Sequence, residues 1–149
     1  MRKNNNQNGF TLIEVLIAIA LLTIGILGAA AMQIASLEGN SNAIRITQAS
    51  TWAENRLEIL MARPYAHADL ADLSNTGVNA GVTGLNNTNV AGSLADGGPV
   101  VSDGFTIYWN VAENTPLTDT KTIRVLVVRT DKGRVKTLAV DYLKAKSDG

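Results

Sequence analysis

Gly9-Phe10-Thr11-Leu12-Ile13-Glu14-Val15-Leu16-Ile17-Ala18 opens a stretch that stays apolar to Met32. From Val15 to Met32 the only non-apolar side chain is Thr23. As a helix this segment rises about 27 Å, close to the hydrocarbon thickness of a bilayer. It is therefore a candidate membrane-spanning helix. Glu14 is its odd member. A carboxylate within such a segment costs roughly 2.5–3.5 kcal/mol on insertion scales, so an acid there points to function.

Upstream, residues 1–8 read Met-Arg-Lys-Asn-Asn-Asn-Gln-Asn, with Arg2 and Lys3 the only charges before the apolar run. The positive-inside rule holds this end in the cytoplasm and sends the rest outward. A secretory signal peptide is the plainer alternative. Two features oppose it: the run exceeds the usual h-region, and no Ala-x-Ala site lies beyond, since Ala29-Ala30-Ala31 merges into more helix. An ordinary single-pass anchor leaves Glu14 and the Gly9-Phe10 junction unexplained. Gly25 and Gly28, inside the span, permit close helix contact or bending.

Downstream the helix continues. Ile46, Ala49, Ala53, Leu57 and Leu60 fall on one helical face, with Gln48, Thr51, Asn55 and Glu58 opposite. Gly39-Asn40-Ser41-Asn42 is a weak point where the helix can break, because these are poor helix formers. Pro64 ends the pattern. Trp52 suits a core or an intersubunit position.

Residues 64–104 are rich in glycine and asparagine and show no sustained period, which reads as a long loop with short ordered pieces. Asn86-Asn87-Thr88 fits a glycosylation sequon, a weak match alone. Asp69, Asp72, Asp96 and Asp103 offer oxygen ligands of the kind calcium uses, but their spacing matches no EF-hand loop. Beyond residue 104 the pattern alternates. Phe105, Ile107, Trp109 and Val111 share one face; Thr122 to Thr130 is a β-branched run; Asp131-Lys132-Gly133 makes a hairpin loop; Arg134 to Leu143 returns as a third strand. The apolar face of this meander needs a cover, and the soluble helix face is the obvious one. Because Leu126 and Val128 make the second face apolar too, the face turned to the helix cannot be chosen. Residues 144–149 form a polar tail.

Composition narrows the chemistry. The formal net charge is zero, but residues 38–120 hold three basic and nine acidic side chains, and residues 121–149 hold eight basic and three acidic. Such a balance gives no general case for nucleic-acid binding. The basic cluster Arg124, Arg129, Lys132, Arg134 and Lys136 lacks the interleaved aromatics of single-strand binders. With no cysteine, disulfides, thiolate metal sites and cysteine nucleophiles are excluded. His67 is the only histidine and no nucleophile elbow accompanies it. Phosphate loops, HExxH and dinucleotide fingerprints are absent from the sequence. No catalytic residue, metal or cofactor is expected.

The basic leader, the Gly9-Phe10 junction, the acid at Glu14 and the apolar length together resemble the prepilin signature of type IV pilins. That resemblance implies cleavage after Gly9 by a prepilin peptidase/N-methyltransferase and methylation of the new amino terminus, Phe10. Glu14, fifth from Phe10, matches the glutamate such proteins use in assembly. The implied fold is α+β: a long amino-terminal transmembrane and amphipathic helix packed on a small antiparallel β-sheet. The segments are then a leader (1–9), a transmembrane helix (10–35), a soluble extension (36–63), a loop region (64–104) and a sheet with polar tail (105–149). Leu22-Thr23-Ile24-Gly25-Ile26-Leu27-Gly28, Gln33, Gln48-Ala49-Ser50, Ala53-Glu54 and Arg56-Leu57 further resemble the PilV family of minor pilins, the type IV pilus modification proteins. The lack of a carboxy-terminal disulfide departs from many major pilins.

The implied function is that of a minor pilin that helps initiate pilus assembly in a tip complex. Its implied partners are other minor pilins, the major pilin, the inner-membrane assembly platform and the membrane. Its soluble domain is expected in the periplasm, and the subunit in the pilus after assembly. Two alternatives remain open: a minor pseudopilin of a type II secretion system, and an anchored periplasmic binding protein or enzyme using residues 64–104.

Overall fold

A computed structural model describes residues 9–73, 81–88 and 94–146. One helix, α1 (Leu12–Met61), precedes four strands: β1 (Gly97–Ser102), β2 (Phe105–Glu113), β3 (Thr120–Asp131) and β4 (Arg134–Ala145). The sheet is an antiparallel meander in the order β1-β2-β3-β4. The architecture is thus the α+β, pilin-like one expected from the sequence. The chain divides into two compact units, residues 1–43 and 44–149.

No break occurs at Gly39-Asn40-Ser41-Asn42, contrary to expectation; all four residues are helical. Propagation through a formed helix adds one hydrogen bond per residue fixed, so a few weak helix formers are tolerated. The helix ends as Pro64 requires, with a tightened last turn in which Arg63 N donates to Leu60 O at 3.2 Å.

In the second unit, Ala49, Ala53, Leu57 and Leu60 are buried at 9% exposure or less, and the polar face Gln48, Thr51, Asn55 and Glu58 is exposed. Ile46 departs from the expected core, being 53% exposed. Ala49 is the first helix residue covered, and Ile46 lies nearly one turn before it. Beneath the helix lie Phe105, Ile107, Trp109 and Val111 of β2, with Ile123, Val125 and Val127 of β3. Trp52, Leu138 and Val140 pack at the margin of this core, which gives Trp52 a core role. Cross-strand pairs such as Trp109–Val125 and Val111–Ile123 set this face.

The opposite face has its own cover. The 3-10 helix Gly81–Asn86 contacts β2 and β3 there, with Leu85, Asn110, Ala112 and Leu126 buried. This explains why both faces of β3 read as apolar.

The sheet has one strand more than the three expected, because β1 lies within the stretch read as loop. The β1–β2 connection is the two-residue turn Asp103-Gly104, with φ of 48° and 77°. Lys132-Gly133 joins β3 to β4 with the same φ values. Positive φ at both positions is the hairpin geometry whose twist matches the flanking strands.

Candidate processing and membrane site

Gly9, Phe10 and Thr11 precede the helix in non-helical backbone. Thr11 sets the helix start. Its hydroxyl accepts from Glu14 N at 3.3 Å, and its carbonyl accepts from Glu14 N at 3.1 Å and Val15 N at 3.3 Å. Threonine at the N-cap with glutamate three residues on is the capping-box pattern, and Glu14 also lies where the helix dipole favours negative charge. This role of Thr11 escaped the sequence reading, although Thr-x-x-Glu before an apolar run is the signal for it.

Phe10 is 83% exposed, and the helix from Leu12 to Leu37 carries a continuous series of exposed large apolar side chains. None of its apolar window is buried within the chain. Gly9 and Phe10 therefore lie just before, and Glu14 in the first turn of, an element with the length and composition to cross a bilayer. Thr23 adds no unsatisfied polar group, since its hydroxyl donates to Ile19 O and Ala20 O, both at 2.8 Å. A Cβ added at Gly25 or Gly28 would meet nothing within 4 Å, so neither glycine serves a contact within this chain.

The second unit shows what the other singled-out residues do. His67 Nδ1 accepts from Asp69 N at 3.1 Å and caps the 3-10 turn Ala68–Leu70. Asp69 lies 3.6 Å from Arg63 Nε. Asp96 latches its loop to the sheet, accepting from Leu73 N at 3.0 Å and from Val111 N at 2.6 Å. Asp103 occupies the β1–β2 turn. Among the described residues no group of three or more His, Cys, Asp or Glu is placed to hold a metal ion. Of the sequon, Asn86 accepts through Oδ1 from Arg124 Nη1 at 2.8 Å, and Asn87 donates through Nδ2 to Leu94 O at 3.0 Å.

Arg124, Arg129 and Lys136 of the last hairpin are engaged within the domain. Arg124 grips Asp141 with two bonds of 2.6 Å, which lowers the Asp141 carboxyl below the usual carboxylate range. Arg129 and Lys136 both reach Asp131, at 3.2 and 3.6 Å. Lys121 is buried: its ammonium donates to Leu70 O at 2.7 Å, lies 2.8 Å from Glu113 and sits over the Tyr65 ring. Lys144 donates to Met61 O at 2.9 Å and also to Arg63 O. The last turn of α1 has no basic residue of its own, so β4 supplies the cation that its carbonyls favour.

Residues 4–30 match the family model described as the prokaryotic N-terminal methylation motif. No curated protein and no solved structure matches the chain. The matched residues end before the second unit begins, so the motif speaks for the amino-terminal segment. It supports a type IV pilin-like protein, pilin or pseudopilin, and with the exposed apolar helix it fits membrane anchoring, prepilin-peptidase processing and assembly with other pilins.

Proposed function

We propose that this chain is a minor type IV pilin similar to the PilV family. It is cut between Gly9 and Phe10, methylated on the Phe10 amine, and held in the inner membrane by residues 10–35. Residues 36–63 extend the helix into the periplasm, where residues 64–104 and 105–149 complete the soluble domain. It joins other minor pilins, primes assembly on the inner-membrane platform, and enters the pilus near its tip. The methylation-motif match over residues 4–30, running into a helix whose apolar window is left uncovered by its own chain, carries this reading.

Glu14 directs entry into the assembly. In apolar surroundings a lone carboxylate takes a proton or a cation. The amine of Phe10 on a neighbouring pilin is the cation a staggered bundle offers, and low polarity strengthens the attraction.

Intact-mass measurement of the protein from native membranes tests the processing. The expected mass is that of a chain beginning at methylated Phe10; retention of Met1 in the mature protein overturns the reading. Pilus counts in a deletion strain test the role. Loss of pili is expected, whereas intact pili with failed export of secreted proteins would assign the chain to a pseudopilus.

A further inference from the structure

We propose that Thr11 is a positioning residue for cleavage at Gly9–Phe10, because its cap stops the helix before the scissile bond. The proposal rests on the processing reading above. Cleavage adds water across the Gly9–Phe10 amide, leaving the Gly9 carboxylate and the Phe10 amine. The atom to be attacked is the Gly9 carbonyl carbon, so that carbonyl must be free to enter a protease cleft.

Continuing α1 upstream would bind that carbonyl. With i to i−4 spacing, Glu14 N would donate to Phe10 O and Ile13 N to Gly9 O. A helix that has already formed extends readily into such bonds, gaining one for each further residue fixed. Thr11 removes the incentive: its hydroxyl and carbonyl take Glu14 N at 3.3 and 3.1 Å, and its carbonyl takes Val15 N at 3.3 Å. Gly9, Phe10 and Thr11 stay outside the helix. A Cβ at Gly9 would meet nothing within 4 Å, and Phe10 is 83% exposed, so no described residue crowds the bond. Val and Thr have nearly the same shape, so Thr11→Val removes the hydroxyl alone, and Thr11→Ser restores a capping group without the methyl.

The test follows cleavage of full-length precursor by purified prepilin peptidase in mixed micelles. Thr11→Val is expected to lower kcat/KM roughly fivefold, the change in a helix-start equilibrium that a cap of ordinary strength makes. Thr11→Ser should process like wild type. An infrared label on the Gly9 carbonyl should shift toward the helical frequency in Thr11→Val and not in Thr11→Ser. A wild type that is cut and a Thr11→Val precursor cut equally fast would overturn this proposal alone. So would an unshifted Gly9 carbonyl, or a Thr11→Ser precursor as slow as Thr11→Val. An uncut wild type overturns the processing reading, and this proposal with it.

Discussion

The indole ring of Trp109 fills the space that a side chain on Gly97 would need. A Cβ built at Gly97 would lie 1.9 Å from the ring. The ring cannot easily withdraw, because Arg56 stacks on it at 3.8 Å and its Nε1 donates to Asp69 O at 2.9 Å. Gly97→Ala is therefore expected to destabilise the domain by about 1–3 kcal/mol through overpacking. Gly39→Ala, whose Cβ meets nothing within 4 Å, should be neutral or stabilising by up to about 1 kcal/mol. Denaturant midpoints of the two variants in detergent decide; equal midpoints would contradict the contact.

Two helix positions separate the buried stripe from its continuation. Leu57→Asp places an unpaired charge beneath the sheet and should cost several kcal/mol. Ile46→Asp, at a half-exposed position, should leave folding of the second unit within about 0.5 kcal/mol of wild type. Thermal melts followed by the fluorescence of Trp52 and Trp109 compare them. A melt unchanged by Leu57→Asp would refute the packing.

Asn110 holds three loop groups at once. Its Nδ2 donates to Leu85 O and Asn87 O, both at 3.0 Å, while its Oδ1 accepts from Asp96 N at 3.1 Å. Asn110→Leu would remove all three bonds from a buried site, and about 2–4 kcal/mol of destabilisation is expected. Hydrogen exchange should show faster exchange at Asp96 in the variant.

The Arg124–Asp141 pair gives acid sensitivity of known sign. The pair depresses the folded carboxyl, so its contribution is present above the unfolded aspartate value of about 3.9 and fades as pH falls through the folded value. The Asp141 side chain is 48% exposed, so solvent screening keeps the contribution small, below about 1 kcal/mol. Wild type should therefore melt slightly above Asp141→Asn at pH 7, with the gap closing below about pH 4. A gap that widens with acid would reverse the assignment.

Glu14→Gln and Glu14→Leu test assembly. Both should be cleaved and membrane-anchored normally, since Thr11 still caps the helix, and both should fail to co-isolate with other pilins. Normal partner recovery and piliation with Glu14→Leu would rule out the pairing.

The amino-terminal motif segment was readable because a single strong pattern governs it, leader charge, Gly9-Phe10, Glu14 and an apolar run that no tertiary contact overrides, whereas the continuity through Gly39-Asn40-Ser41-Asn42 was not. The strands from Phe105 onward were readable for the same reason, their alternation being long. β1 was not, although Asp103-Gly104 is a strong two-residue hairpin signal. Its upstream flank, Gly97-Gly98-Pro99-Val100-Val101-Ser102, is short, holds a proline and carries a register shift between Gly97 and Val100. Pro99 is tolerated because β1 is an edge strand. The second sheet cover and the Asp96, Asn110, Lys121 and Lys144 ties were hidden by distance in sequence. Each joins segments that no local period connects.

The tie from Lys144 to Met61 has a consequence for the order in which the domain is completed. The helix end receives its cation from a residue eighty-three positions later, on the last strand of the sheet. Lys144 pairs in register with Lys121, so it is held in place only once the β3–β4 hairpin has zipped to its open end. A chain emerging from its amino terminus thus completes the helix early and secures the helix end last. Any version that stops short of Lys144 carries a frayed joint, however intact its core.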